Sequence, residues 1–299
     1  MGTLRRVGLF LATNIAILAV ISILLSIFNV RPYLEQHRLN YQSLLIYAAI
    51  IGFTGSFISL FISKWMAKYT FGIKMIQTPS TEAEQWLTNT VRKLANQSSI
   101  GMPEIGMYDS QEPNAFATGW SRNRALVAVS SGLLNAMNQE EVEGVLGHEI
   151  SHVANGDMVT LALIQGVVNT FVIFFARIAA FMVTQFFRKD EEESVGGNFA
   201  FYGVSIIFEL IFGILASTIV FAFSRYREFR ADAGSARLVG KDKMISALQR
   251  LQAFVDMPAE QREASFSTMK ISDNRKLLGL FSSHPPLAKR IAALQRGQY

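Results

Sequence analysis

The sequence predicts a mostly α-helical membrane protein with four transmembrane helices and a cytoplasmic α+β domain. Half of the 299 residues are apolar and only 17% are charged, against about 25% in ordinary soluble domains. Four apolar runs reach the roughly 20 residues that a helix needs to cross a bilayer. The absence of cysteine excludes disulfide frameworks, thiol nucleophiles and thiolate metal sites. The net charge of +5 is mild, so no nucleic-acid partner is expected.

The first two predicted spans form an N-terminal hairpin within residues 1–64. Residues 7–28 carry no charge and follow Arg5 and Arg6. This run is too long for the apolar region of an ordinary signal peptide, and no small-residue cleavage pattern follows it. We therefore expect an uncleaved membrane anchor here, with the second span at residues 42–63.

A second hairpin is predicted within residues 158–224, with spans at residues 158–187 and 199–223. Each of these spans contains one charged residue, Arg177 in the first and Glu209 in the second, and the two lie at matching distances from the turn between the spans. Charges in hydrocarbon are costly unless they are paired or hydrated. We hypothesise that the two side chains form an ion pair or share an aqueous pocket. The alternatives are that each side chain reaches separately to the membrane surface, or that the helices end early.

Basic residues flank the membrane boundaries on one side. They are Arg5, Arg6, Lys64, Lys68, Lys74, Arg225, Arg227 and Arg230. Because basic flanks favour the cytoplasm, both termini are expected there, together with the pieces at residues 65–157 and 225–299. Those two pieces must then meet to form any soluble domain.

The two cytoplasmic pieces predict mixed, mostly helical structure. Thr81 is a candidate cap for a helix through Gln97, and Asn138 with Glu141 has the pattern of a capping box that starts a helix through about Asn155. Short strands are predicted at residues 103–108, 115–120 and 125–130, and further helices at residues 244–254 and 287–295.

The strongest chemical signal is the run His148-Glu149-Ile150-Ser151-His152. Its histidines are four residues apart in a predicted helix, so both imidazoles lie on one face and can bind one zinc ion. Glu149 suits a general base that accepts a proton from the attacking water. With only 4 histidines in the chain, this pattern rarely arises by chance. The alternative is a surface helix whose histidines are solvated.

A catalytic zinc site needs a third protein ligand and an open position. Glu228 is a good candidate, because it follows the fourth span and the hairpin returns the chain to the level where the helix of His152 ends. Asp232, one helical turn after Glu228, could orient a ligand histidine. The alternative is an ordinary charged segment beside the membrane, since arginines alternate with these acids.

Five stretches carry a family resemblance. They are His148-Glu149-Ile150-Ser151-His152, Glu228-Phe229-Arg230-Ala231-Asp232, Pro113-Asn114-Ala115-Phe116-Ala117-Thr118-Gly119, His152-Val153-Ala154-Asn155-Gly156-Asp157-Met158 and Ser283-His284-Pro285-Pro286. The first two resemble the gluzincin signature, and together the five resemble the HtpX family of bacterial heat-shock membrane metalloproteases. That family is related to the CAAX prenyl proteases.

The resemblance implies a gluzincin-type domain that binds one zinc ion per chain. Its ligands would be His148, His152 and Glu228, with Glu149 as the base and Asp232 orienting a histidine. It further implies a small sheet whose edge strand, near residues 125–130, flanks the cleft and pairs with an extended substrate.

Further substrate-binding and catalytic roles follow from the same resemblance. Ala125, Val127 and Val129 would lie on the edge strand, and Asn114 would bind the substrate backbone. His284 and Arg290 resemble a pair opposite the metal that would stabilise the oxyanion. From the residues alone, Asn114 is equally a turn residue, and His284 and Arg290 are an ordinary helix-start histidine and a solvated arginine.

The function implied by the resemblance is zinc-dependent endopeptidase activity in the bacterial inner membrane. Its substrates would be unfolded polypeptides and misfolded or damaged membrane proteins, cleaved at the cytoplasmic face in a stress response. Three alternatives remain open: a non-enzymatic membrane scaffold with a structural zinc, a transport protein that uses Arg177 and Glu209 as a relay, and a prenyl-peptide processing protease. The sequence leaves open whether the chain forms a homo-oligomer.

Overall fold

Helices make up most of the chain that the structure describes. This computed structural model describes residues 40–187, 195–257 and 284–297. The helices and strands of these residues are, in chain order, α1 (Tyr41–Thr70), β1 (Lys74–Met75), α2 (Glu82–Gln97), β2 (Glu104–Tyr108), β3 (Ala115–Thr118), β4 (Leu126–Ser130), α3 (Ser131–Ala136), α4 (Gln139–Asn155), α5 (Asp157–Phe187), α6 (Val195–Val239), α7 (Lys241–Val255) and α8 (Leu287–Arg296).

Three of the described helices, α1, α5 and α6, are long and apolar enough to cross a bilayer. They coincide with the second, third and fourth predicted spans. The first predicted span, residues 7–28, lies outside the described residues, as does most of the predicted outward turn between α5 and α6. The count of four transmembrane helices therefore remains a prediction.

The chain divides into two compact units. Of the described residues, 40–59, 160–187 and 195–220 belong to the apolar unit, and 60–159, 221–257 and 284–297 belong to the α+β unit. Each unit thus contains two separate stretches of sequence, because the hairpin of α5 and α6 interrupts the α+β unit.

In the apolar unit, α1 packs closely on α5 through small residues. A Cβ atom built on Gly52 would lie only 2.8 Å from the backbone nitrogen of Thr170 and 3.0 Å from the carbonyl oxygen of Gly166. The side chain of Asn169 donates a hydrogen bond to Ser56 Oγ at 3.4 Å. Small residues allow such close approach of helices in membranes, where van der Waals contact and interhelical hydrogen bonds drive association.

The two isolated charges of this unit lie close together. Arg177 Nη2 is 3.5 Å from Glu209 Oε1, which agrees with the ion-pair hypothesis. The guanidinium also lies over two rings, 5.3 Å from the centre of Tyr202 and 5.7 Å from that of Phe201. These contacts neutralise and partly enclose a cation that would otherwise face hydrocarbon.

A four-stranded sheet, with strand order β1-β2-β4-β3, supports the α+β unit. Strand β4 pairs parallel with β2 and antiparallel with β3, so its two edges are both occupied and all of its residues are buried. The sequence prediction of a cleft-side edge strand at Ala125, Val127 and Val129 was therefore wrong. Its apolar sequence suits a central strand, and β3 is the edge strand instead.

Local capping signals begin two helices of this unit as predicted. Thr81 and Glu84 form a capping box at the start of α2, and Asn138 and Glu141 form another at the start of α4. These reciprocal bonds satisfy backbone N–H groups that a helix start leaves without partners. Helix α4 then packs between the sheet and α7, and its buried face includes Leu146 and Ile150.

Candidate metal centre and active site

Helix α4 presents two buried histidines on one face. His148 and His152 are one turn apart, with exposures of 6% and 9%, and their Nε2 atoms are 3.1 Å apart. Leu146 and Ile150, whose side chains belong to the core of the unit, fix the rotation of the helix. The imidazoles therefore point together toward α6 rather than into solvent.

Glu228 on α6 completes a cluster of three side chains that could hold a metal ion. Its carboxylate is fully buried, with Oε2 3.4 Å from His148 Nε2 and Oε1 3.2 Å from His152 Nε2. The ligand atoms of the three side chains all lie within 4.8 Å of one another. The structure thus brings together the three ligands that the sequence predicted.

Two carboxylates fix the orientation of the imidazoles. Asp232 Oδ1 lies 2.9 Å from His148 Nδ1, and Asp157 Oδ2 lies 2.7 Å from His152 Nδ1. Because a carboxylate only accepts, each Nδ1 carries the donated hydrogen. In the neutral imidazole, each Nε2 then offers a lone pair to the centre of the cluster.

The converging donors fit a zinc ion. Two Nε2 lone pairs face each other at 3.1 Å, an arrangement that is repulsive unless a cation lies between them. Among the residues that the structure describes, Glu228 Oε1 is a buried oxygen without a hydrogen-bond donor. Two imidazole nitrogens and one carboxylate oxygen are a known donor set of catalytic zinc, which leaves the fourth position open.

The negative environment of the cluster also changes the proton affinity of His152. Burial alone would lower its pKa, but the carboxylates of Asp157, Glu228 and Glu149 raise the pKa of His152 to about 9. The same concentration of negative charge that attracts a proton attracts a metal cation.

Asp157 was not predicted to have a role, although it lies in a motif that carries the family resemblance. Gly156 ends α4 with φ 66° and ψ 35°, a left-handed conformation that glycine adopts without strain. This turn starts α5 immediately and directs the buried Asp157 back toward His152. A signal was present in the sequence: a glycine that ends a helix, followed by an acid just beyond the second histidine.

Arg290 of α8 contacts two acids of α6, Glu228 and Asp232. Its guanidinium donates two hydrogen bonds to Asp232, at 2.8 Å from Nε and 2.5 Å from Nη2, and its Nη1 lies 3.4 Å from Glu228 Oε2. His284 Nδ1 lies 2.7 Å from the same oxygen of Glu228. The structure therefore places His284 and Arg290 beside the predicted metal ligands, in contact with Glu228.

Glu149 lies between the metal cluster and the edge strand. Its Oε2 accepts a hydrogen bond from the backbone N–H of Ala117 on β3 at 2.8 Å. This N–H therefore points away from β4, toward the free edge of the sheet. The sequence could not show this contact, because a backbone donor has no side-chain signature.

A cleft of about 840 Å³ runs past these residues. His148, Glu149 and Glu228 line it, and α7 and the segment from His284 to Arg290 form its other wall. Asn114 lies at the cleft, next to β3, and its backbone N–H donates to Ser130 Oγ at 3.0 Å. The predicted base Glu149, the predicted ligands His148 and Glu228, and Asn114 thus line one cavity. Val127 and Val129 instead lie in the central strand, and Ala125 immediately precedes it.

Comparison with known proteins identifies the family of this chain. Residues 81–298 match the family model of Peptidase family M48. The chain is 57% identical to Protease HtpX of Tolumonas auensis, over 98% of this chain and 99% of that protein. It is 54% identical to Protease HtpX of Thioalkalivibrio sulfidiphilus, over 99% of this chain and 100% of that protein.

A solved structure has the same fold. The crystal structure of S. mikatae Ste24p aligns with a TM-score of 0.61 at 20% identity, over 97% of this chain and 67% of that chain. The M48 match covers the part of the sequence that contains the His148, His152 and Glu228 cluster, and three apolar helices could cross a membrane. The chain therefore belongs to peptidase family M48 and is a membrane metalloprotease of the HtpX type.

Proposed function

We propose that this protein is a zinc-dependent endopeptidase that cleaves unfolded polypeptides and misfolded or damaged membrane proteins at the cytoplasmic face of the bacterial inner membrane. The observation that carries the proposal is the arrangement of His148, His152 and Glu228 around one point, with Glu149 beside them in an open cleft. Among the residues that the structure describes, three candidate ligands converge there, as expected for a catalytic rather than a structural zinc site.

Glu149 is the proposed general base. When bound, zinc supplies Lewis-acid polarisation of the scissile carbonyl and of the attacking water. Glu149 accepts the proton of that water and passes it to the leaving amine. The hydrogen bond from Ala117 holds its carboxylate at the edge of the cluster.

Arg290, Asp232 and His284 support this chemistry. The bidentate bond from Arg290 fixes Asp232, and Asp232 in turn orients His148. We propose that Arg290 and His284 also stabilise the negative charge that develops on the substrate carbonyl oxygen. Their position at the cleft beside Glu228 supports this role.

The free edge of β3 is the proposed substrate-binding strand. An extended peptide that pairs with this edge would lie beside Glu149, because the outward-facing N–H of Ala117 already contacts that side chain. Ala115 has the same orientation two residues earlier. Strand addition of this kind provides backbone hydrogen bonds without requiring a particular substrate sequence, which suits misfolded substrates, and Asn114 is placed to bind the same backbone.

The proposed membrane topology follows the basic residues. It comprises an N-terminal hairpin at residues 1–64, a second hairpin at residues 158–224, and a catalytic domain assembled from residues 65–157 and 225–299. Lys64, Lys68 and their counterparts after the fourth span favour the cytoplasm for this domain and for both termini.

Casein cleavage by the detergent-purified protein tests the proposed function. The protein is stripped of metal with a chelator and then reloaded with zinc. We expect the stripped protein to be inactive and the reloaded protein to cleave casein, because removal of the metal would remove the Lewis acid that His148, His152 and Glu228 would hold. Zinc that binds without cleavage of casein or of an unfolded membrane protein would contradict the proposal and favour a scaffold with a structural zinc.

A further inference from the structure

The loop at residues 119–124 lies against the end of α1. This loop, which we call the Trp120 loop, follows the edge strand β3. The ring of Trp120 packs on that of Phe61 at a centroid distance of 5.7 Å, and the guanidinium of Arg124 lies 5.0 Å from the centre of the Trp120 ring. All of these residues belong to the α+β unit.

Phe61 marks a membrane boundary on α1. The helix carries no charge from Tyr41 to Ser63, and Lys64 is its first charged residue. Phe61, Trp65 and Tyr69 recur at one-turn intervals across this boundary, and their side chains are 57%, 66% and 80% exposed. Exposed aromatic residues at the end of an apolar helix are typical of the interface between hydrocarbon and lipid headgroups. Trp120, which touches Phe61, lies at the same level.

The shape of the Trp120 loop is held by its backbone. Gly119 has a φ of 141°, and a Cβ atom there would lie 2.7 Å from the carbonyl oxygen of Arg124. The N–H of Arg124 donates to the carbonyl of Ser121 at 3.2 Å. The close approach at Gly119 and this turn fix the loop, so Trp120 is presented in a defined position next to α1.

The charges of the loop complement phosphate groups. Arg122 and Arg124 are both cations, and Arg124 is exposed. In the part of the chain that the structure describes, the Nε atom of Arg122 is buried and has no hydrogen-bond acceptor, so phosphate contacts of this residue would be made by its terminal nitrogens. By contrast, Lys64 and Lys68 of α1 already form ion pairs with Glu104 at 2.5 and 2.6 Å. An indole at the headgroup level with two arginines beside it is the composition that binds an anionic lipid surface.

We propose that the Trp120 loop is a lipid-binding element that inserts Trp120 into the headgroup region, where Arg122 and Arg124 bind phosphates of acidic lipids. The loop thereby docks the α+β unit on the bilayer. This docking does not involve the residues proposed to act in catalysis, but it would hold the proposed base close to the bilayer. Thr118 ends β3 beside the loop, and Ala117 contacts Glu149, so at about 3.3 Å per residue the lipid surface and the proposed base are only roughly 10 Å apart along the strand.

Tryptophan fluorescence tests the proposal, because the chain contains only 3 tryptophans. The full-length protein is reconstituted in vesicles of phosphatidylcholine and phosphatidylglycerol, some with a nitroxide on the headgroup. Three double variants each retain one tryptophan: W65F/W86F retains Trp120, W86F/W120F retains Trp65, and W65F/W120F retains Trp86. Trp65 on α1 is the positive control, and Trp86, which packs on the core of the α+β unit, is the negative control.

We expect the nitroxide to quench Trp120 about as strongly as Trp65, and to leave Trp86 nearly unchanged. Quenching of Trp120 should weaken when R122Q/R124Q is added, or when phosphatidylglycerol is left out. If Trp120 instead responds only to aqueous acrylamide, the loop faces water and the proposal is wrong. Protection of Trp120 from both quenchers would also overturn it, because a protein surface would then cover the loop. Thermal melting of each variant shows that it is folded.

Discussion

At the scale of single residues, the metal cluster depends on side chains that orient its ligands. Each imidazole makes one hydrogen bond to a carboxylate, His148 to Asp232 and His152 to Asp157. Such partners hold the ring, fix its tautomer and raise its basicity. We therefore expect Asp232 and Asp157 to increase the metal affinity of the site without being ligands themselves.

Replacement of Asp157 tests this contribution. We expect Asp157→Ala to weaken zinc binding by about 10- to 100-fold, and Asp157→Asn to weaken it less, because the amide oxygen still accepts from His152 Nδ1. Competition with a chromogenic chelator measures the affinity. Asp242→Ala is the matched control, since Asp242 is also an acid in the first turn of a helix but is exposed. An equal loss of zinc affinity in Asp157→Ala and Asp242→Ala would show that Asp157 affects the site only by stabilising the start of its helix.

The clustering of the three candidate ligands was predictable from the sequence, but their supporting contacts were only partly so. Four-residue spacing on a helix fixes which side chains share a face, which is why His148 and His152 could be paired in advance. The contact of Ala117 with Glu149 arises from the pairing register of the sheet. That register depends on distant parts of the chain and left no local signal.

At the scale of elements, α1 and α5 pack at a distance that only small residues allow. We expect Gly52→Ala to destabilise the protein by about 1–3 kcal/mol, because the added methyl group would meet the backbone of Thr170. Gly55→Ala is the matched control, since nothing lies within 4 Å of a Cβ atom at that position on the same helix. Thermal melting in detergent measures both. Equal losses of stability in Gly52→Ala and Gly55→Ala would show that the close contact of Gly52 with α5 does not determine the stability.

The ion pair between α5 and α6 gives a second test at this scale. Arg177→Leu and Glu209→Leu should each destabilise the protein, because each leaves the other charge without its partner. The double variant should lose less free energy of unfolding than the two single variants lose together, with a coupling free energy of about 0.5–3 kcal/mol. Denaturation of the unaltered protein, the two single variants and the double variant in one detergent provides the double-mutant cycle. Additive losses would show that the two charges act separately.

Elements with local signals were predictable, and those formed by long-range pairing were not. The capping boxes at Thr81 and Asn138 lie within one turn of sequence, so the starts of α2 and α4 could be read directly. Strand β1 has only two residues, too few for a periodic pattern. The order of β3 and β4 in the sheet depends on tertiary pairing, and for this reason the edge strand was assigned to the wrong segment.

At the scale of the whole molecule, the hairpin of α5 and α6 separates the two stretches of sequence that form the α+β unit. The ligands His148 and His152 precede α5, and Glu228 follows the membrane part of α6. The α+β unit is formed by residues on both sides of the hairpin. Its metal cluster therefore requires the hairpin to return the chain, and the sequence predicted this from the positions of the apolar runs.

The proposed general base of this metalloprotease is Glu149. Glu149→Gln is compared with the unaltered protein for zinc content and for casein turnover on the same preparations. Glutamine is nearly the same shape but cannot accept a proton, so we expect equal zinc content and a loss of turnover of about 10²- to 10⁴-fold. Comparable turnover by the two zinc-loaded proteins would contradict the claim.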